Sequence, residues 1–159
     1  HKQALSVAEA LGALAWKGNV ETVQSFVNLL QHDDEQFRQL SMKYLPAIAS
    51  GDDHFSFIMV SALLAHSSAY VRVNAIKLIA CIVDQGDRRS LLCIRSKMTD
   101  KEPSVRVAAM QALGELATKG DPDVIREIVH QIVGSSSRDS ESQKVAEDTL
   151  PLVAKGDDR

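Results

Sequence analysis

The chain is expected to be all-α, an α-solenoid of antiparallel helix pairs with about four and a half repeats, and three observations predict it. Gly18, Gly51, Gly86, Gly120 and Gly156 recur at intervals of 33, 35, 34 and 36 residues. Phe37-Arg38, Val71-Arg72 and Val105-Arg106 recur 34 apart, each pair 13 or 14 residues before its glycine. Within each period the apolar residues follow a three-and-four spacing, the mark of one helix stripe and not of an alternating strand. Two independent markers that hold one period define an array.

The first helices are expected near 2–17, 35–50, 69–85, 103–119 and 141–155. In the fourth of these Val105, Ala108, Ala109, Ala112, Leu113, Leu116 and Ala117 form one broad stripe. The second helices are expected near 20–31, 53–66, 88–98 and 122–133. In the last, Val124, Ile125, Ile128, Val129, Ile132 and Val133 oppose Arg126, Glu127, His130 and Gln131. Aligned on the glycines, the second helices give core columns Val23, Ser56, Leu91, Ile125; Phe26, Met59, Ile94, Ile128; Val27, Val60, Arg95, Val129; and Leu30, Leu63, Met98, Ile132. Ser56 and Arg95 are the departures. The stretches "KGN", "SGD", "QGD" and "KGD" join the two helices. Gly is expected just past the last turn of the first helix, where it takes the left-handed conformation freely. The following Asn19, Asp87 or Asp121 then caps the second helix, with Pro122 at its first position. Pro46 and Pro151 fall about a turn before the end of their helices, where kinks are expected. One such hairpin buries too little to stand alone, so stability is expected to come from stacking on neighbours. The repeats run approximately 2–32, 33–67, 68–100 and 101–138, with a partial one at 139–159. The closing "GDDR" repeats the stop-and-start signal, which predicts that the natural chain continues past Arg159 and leaves room for chain before His1.

Composition narrows the function classes. Of 159 residues 45% are apolar and only 4% aromatic, so the core is aliphatic. A net charge of −3, with both signs mixed throughout, gives no basic stripe for nucleic acid. No apolar run approaches the roughly 20 residues of a membrane span. An intracellular, cytoplasmic chain, monomeric in isolation, is expected, with organellar targeting left open by the missing start methionine. Cys81 and Cys93 sit within apolar patterns and are expected to be buried reduced thiols. Trp16 is expected to cover a repeat edge.

"TDKEPSVRVAAMQALGELATKGD" resembles the HEAT repeat, and within that class the HEAT-like repeats first associated with phycobilisome bilin lyases. The shared features are the acidic and Pro turn, Val-Arg, small residues, Leu-Gly and Gly-Asp. The match is sharpest at 100–133, clear at 66–98 and looser at 2–31, 33–66 and 141–157. The Trp, Leu-Gly and Tyr pattern of tetratricopeptide repeats and the Thr-Pro-Leu-His of ankyrin repeats are missing. The resemblance implies second helices that line a concave side. It also implies that Arg38, Arg72 and Arg106 bond to acidic residues of the inter-repeat turns, for which Asp33 and Asp100 are available. The turn before Arg72 offers only Ser67 and Ser68.

No nucleophile motif, phosphate loop or metal-ligand spacing accompanies this framework, so no catalytic residue, metal or cofactor is expected and the chain is read as no enzyme. His1, His32, His54, His66 and His130 form no HExxH, and His-Glu pairs of the kind found in HEAT-like iron hydroxylases are absent. Function is expected on a surface, where a partner protein or larger assembly would bind. Beside the core columns run Gln24, Phe57, Leu92, Arg126 and Asn28, Ser61, Ser96, His130. Phe57 and Leu92 would make an apolar centre flanked by Arg89, Arg95, Lys97 and Arg126, the anatomy of a recognition patch. A register shifted by one residue would instead put both in the core. The alternative reading is a bilin lyase-like protein holding a tetrapyrrole in the concavity; a DNA-binding glycosylase-like array would want a basic, aromatic groove that the composition does not supply. The polar stretch "GSSSRDSES", 134–142, is expected to be a solvated loop, with Ser135, Ser136, Ser137, Ser140 and Ser142 open to phosphorylation.

Overall fold

A computed structural model describes residues 2–49, 54–134 and 140–154. These residues form nine α-helices and no strand. Two compact units divide the chain, His1–Val83 and Asp84–Arg159.

The first unit contains α1 (Lys2–Leu14), α2 (Val20–Leu30), α3 (Glu35–Ile48), α4 (His54–Ala62) and α5 (Ala69–Ile82), with one 3₁₀ turn, Leu63–Ala65, prolonging α4. The first helices α1, α3 and α5 pack in sequence, while α2 lies on α3 and α4, and α4 on α5. Phe26, Leu30, Leu45, Ile48, Ile76, Leu78 and Ile79 are fully buried between them. Ser41 Oγ, also fully buried, donates to the Phe26 carbonyl at 2.6 Å, so the polar group costs little where two helices meet. The second unit contains α6 (Arg88–Arg95), α7 (Pro103–Leu116), α8 (Pro122–Gly134) and α9 (Ser140–Ala154). Here α7 packs on α6 and α9, and α8 on α9, around Ile94, Met98, Met110, Leu113 and Ile128. Pro46 and Pro151 lie within continuous α3 and α9.

The repeat glycines do a different task from the one expected. The helices before them stop three residues short of the predicted ends, at Leu14, Ile82 and Leu116, and the caps Val83 and Ala117 are extended. Each described glycine is the third residue of a turn closed by the main chain: Asn19 N–H to Trp16 O, Asp87 N–H to Asp84 O, and Asp121 N–H to Thr118 O. Their φ values of 81°, 84° and 82° at Gly18, Gly86 and Gly120 are the left-handed values such a turn demands. The glycine N–H leaves its own helix altogether. It donates across to the first helix of the following repeat, from Gly18 to Ile48 O, Gly86 to Leu116 O and Gly120 to Val153 O, each at 2.7 Å. The period read from the sequence is therefore the period of a stacking bond and not of a helix cap. Gly51 and Gly156 lie outside the described residues.

Leu-Gly has a second purpose. A Cβ added at Gly12 would meet the Tyr44 ring at 2.5 Å, and one at Gly114 would meet Thr149 Cγ2 at 2.6 Å. Both glycines sit six residues before their turn glycine, so the same position lets α1 approach α3 and α7 approach α9. Capping follows expectation: Asn19 Oδ1 accepts from Thr22 N–H at 2.8 Å, and Asp121 Oδ1 from Asp123 and Val124 N–H at 3.0 and 3.1 Å. Asp87 accepts from Ser90 N–H at 2.9 Å.

Candidate interaction surface

Two open grooves lie between second helices, one in each unit. In the first, Gln24, Val27 and Asn28 of α2 and its cap Gln31 face Ile58, Met59 and Ala62 of α4, with Leu63, Ala65 and His66 at one end, around about 440 Å³. The walls are aliphatic and the rim is amide: Gln24 Nε2 donates to Asn28 Oδ1 at 3.1 Å. In the second, Arg88, Leu91, Leu92 and Arg95 of α6 face Asp123 and Val124 of α8, with Gly86, Thr118 and Asp121 below, around about 200 Å³.

The candidate residues divide between open positions and the core. Gln24 and Asn28 are exposed on the first groove, and Leu92 is 64% exposed on the second. Phe57 is not part of any surface. At 6% exposure it belongs to the core beside Ser56 and Val60, and its neighbour Ile58, 49% exposed, takes the open position. The register of α4 is thus shifted by one residue, because "HFSFIMVSA" is apolar nearly all round and periodicity cannot choose a face. Ser61 is half-buried and donates to the Ile58 carbonyl; Ser96 is exposed and donates to the Cys93 carbonyl; neither lines a groove. Arg126 and His130 are exposed on α8 outside the groove, Arg126 pairing with Asp123 at 3.1 Å. Within the core columns, Ile125 is half-buried and Val129 exposed, since α8 turns Val124 and Ile128 inward. Arg95 is only half-buried and reaches Glu127 of α8 at 3.7 Å, which accounts for a cation in a core column.

Arg38, Arg72 and Arg106 reach the inter-repeat turns and bond to main-chain carbonyls there, those of Asp33 and Asp100 among them: Arg72 to those of His66 and Ser67, Arg106 to those of Asp100 and Lys101, Arg38 to those of His32 and Asp33. Two further expectations change. Cys81 is exposed, not buried, and Cys93 is half-buried. Cys81 lies one turn beyond exposed Lys77 on the same side of α5, a signal the apolar neighbours concealed. Trp16 is 75% exposed and covers no edge. Of the serines named for modification, Ser135, Ser136 and Ser137 lie outside the described residues; Ser140 is exposed and Ser142 is buried in α9.

Asp87 and Lys43 have shifted proton affinities. Asp87 is held below the usual carboxylate value: burial pushes it up, but hydrogen bonds from the Ser90 side chain and main chain and from Arg89 outweigh that. Lys43 is raised, first by its hydrogen bond with Glu9 at 3.0 Å. Neither borders a groove. Among the described residues no three His, Cys, Asp or Glu side chains gather as metal ligands, and no helix is long and apolar enough to cross a membrane.

Helix pairs that repeat at about 34 residues, stack through first helices and leave grooves between second helices define an α-solenoid repeat protein. The family model described as HEAT repeats matches residues 58–146, more than half of the chain, and the chain belongs to that family. No curated protein sequence matches it. HEAT repeats commonly serve as protein-interaction scaffolds.

Proposed function

We propose that this chain is a non-catalytic scaffold that binds another polypeptide through the second-helix grooves. The observation that carries this reading is the pair Ile58 and Leu92, two aliphatic side chains left 49% and 64% exposed on the face where each groove opens. Helices that fold by burying aliphatic side chains leave few such residues in an open concavity without use, and an apolar centre with a polar rim is how protein interfaces are built. The rims differ, amide in one groove and charged in the other, so the two grooves would recognise different chemistries.

Ile58→Asp and Leu92→Asp variants test this directly. Each puts a charge where the side chain already meets water, so circular dichroism and melting should match the parent. Capture of a partner from native extract should fall by tenfold or more, as expected when roughly 1.5–3 kcal/mol of burial per anchor is lost. A Val7→Asp variant, altered on an exposed first-helix position, should retain capture. Equal capture by parent and both groove variants would remove the proposal.

A further inference from the structure

The groove between α6 and α8 is the charged one, and its charges are sorted by wall. Arg88 and Arg95 stand on α6, Asp121 and Asp123 at the N-terminal end of α8. Three of these four are already engaged. Arg95 reaches Glu127 at 3.7 Å, Asp123 pairs with Arg126 at 3.1 Å, and Asp121 Oδ1 accepts the N–H groups of Asp123 and Val124 at 3.0 and 3.1 Å. Arg89, expected beside the patch, turns to Asp87 at 3.3 Å and does not line this groove. Arg88 is exposed, and among the described residues its side chain has no hydrogen bond or ion pair.

The helix itself has no use for this cation. Arg88 is the first residue of α6, where a positive charge opposes the helix dipole. Aligned on the glycines, the same place holds Val20 in α2 and Pro122 in α8, so the hairpin forms without a cation there. Arg88 and Leu92 are four residues apart on one helix and line the same groove, which sets their Cβ atoms roughly 5–6 Å apart. An uncommitted guanidinium thus stands one turn from an aliphatic side chain that is 64% exposed.

We infer that the α6/α8 groove takes an acidic polypeptide segment, in which an aliphatic side chain packs on Leu92 and a neighbouring carboxylate meets Arg88. This rests on the groove being the docking surface proposed above. A carboxylate fits because it accepts two parallel N–H bonds from one guanidinium, whereas a neutral or cationic residue leaves Arg88 to be desolvated unpaired as the groove fills. In an extended segment the required spacing is that of residues two apart, which share a face. The aspartates of α8 do not call for a basic segment in the same way, since each already holds a partner. The α2/α4 groove is the internal control: its lining includes no Lys, Arg, Asp or Glu, so it has no ion with which to select a charged segment.

Three capped peptides test this on the whole chain, repeating Leu-Ser-Glu-Ser, Leu-Ser-Gln-Ser or Leu-Ser-Lys-Ser, with methyl nuclear magnetic resonance reading both grooves at once. The Glu peptide should move the signals of Leu91, Leu92 and Val124 and bind there about two- to fivefold more tightly than the Gln peptide, the worth of one exposed ion pair, with the advantage gone near ~1 M salt. The chain's net charge of −3 disfavours an acidic peptide in general, so that preference is a local effect. The Lys peptide should bind no tighter than the Gln peptide, and at Ile58 and Met59 the three should be indistinguishable. Arg88→Gln, a change at an exposed side chain, should leave circular dichroism as it is and bring the Glu peptide down to the affinity of the Gln peptide, while Arg88→Lys keeps part of the preference. Equal binding of the Glu and Gln peptides at Leu92, or a Glu preference that survives Arg88→Gln, would overturn the inference and leave the groove a docking surface without charge selection. A preference for the Lys peptide would overturn it as well, and assign selection to Asp121 and Asp123. If no peptide moves Leu92 the inference falls, and whether the groove docks a partner is decided separately, by capture with Leu92→Asp.

Discussion

The first and second units are made from the same hairpin, yet they tune it with different side chains. Where α1 meets α3, Gly12 lies under an aromatic ring, that of Tyr44; where α7 meets α9, the equivalent Gly114 lies under a single methyl of Thr149. The first unit closes its inter-repeat turns with imidazoles, the second with a carboxylate. The first unit's groove is rimmed by amides, whereas in the second an ion pair, Arg95–Glu127, joins the two helices that flank the groove. The constant parts are bonds to main-chain carbonyls, from the glycine N–H to the next helix end and from the arginine guanidinium to the turn. Side chains are free to vary where the backbone already fixes the stack, and that freedom is where two equivalent grooves acquire different surfaces.

The largest effects should come from the close helix approaches. In Gly12→Ala the new methyl runs into ring carbons that sit at the base of a packed side chain, so α1 and α3 must separate. A loss of about 1–3 kcal/mol is expected, read from urea unfolding. Gly114→Ala meets only Thr149 Cγ2, which a rotamer change can withdraw, and gains up to ~1 kcal/mol of helix propensity. It should cost clearly less. Should Gly114→Ala prove the worse of the two, the ring-against-methyl distinction between units fails.

Much of this was legible before any coordinates. The helix count, the pairing and the caps at Asn19, Asp87 and Asp121 follow from period, stripe and stop-start residues. What stayed hidden has physical reasons. A glycine four residues past a helix end and one directly after it leave the same trace in a sequence, so the stacking bond of Gly18, Gly86 and Gly120 was read as a cap. The α4 face was ambiguous because Phe55, Phe57, Ile58, Met59 and Val60 run together. His32, His66 and Asp100 were separable in principle: they recur 34 apart, each two residues before an N-cap, and all three can accept a hydrogen bond. The cue was missed because histidine and aspartate are not usually counted as equivalents.

Caps give the next effect. Asp121→Ala should cost about 1 kcal/mol, since two main-chain N–H groups lose their acceptor, and Asn19→Ala a similar amount. Asp87 adds a pH signature. Its carboxyl is lower in the folded chain than in the unfolded one, so its stabilisation is complete above the unfolded value near ~4 and disappears as pH falls through the lower folded value. Asp87→Asn should therefore flatten the acid limb of the stability curve measured by denaturant titration. A parent and variant with parallel acid limbs would place the acid sensitivity elsewhere.

The smallest effect should be the Arg95–Glu127 pair, and it decides how the second groove is to be understood. Arg95 occupies a column filled by Val27 and Val60 in the first unit, both nearly fully buried, yet it stays half-buried and reaches toward Glu127 at 3.7 Å. At that separation and exposure a salt bridge is worth about 0–1 kcal/mol, screened by salt. A double-mutant cycle with Arg95→Met and Glu127→Gln should give a coupling in that range at low salt and almost none near ~1 M, where the Debye length is about 3 Å. Arg95→Met keeps most of the aliphatic stem that packs on the column, so overall stability should change by less than ~1 kcal/mol. A coupling of several kcal/mol that resists salt would mean the pair is desolvated. The second groove would then be sealed by an internal bond at that point, and the charged rim that sets it apart from the amide-rimmed groove of α2 and α4 would be structure and not surface.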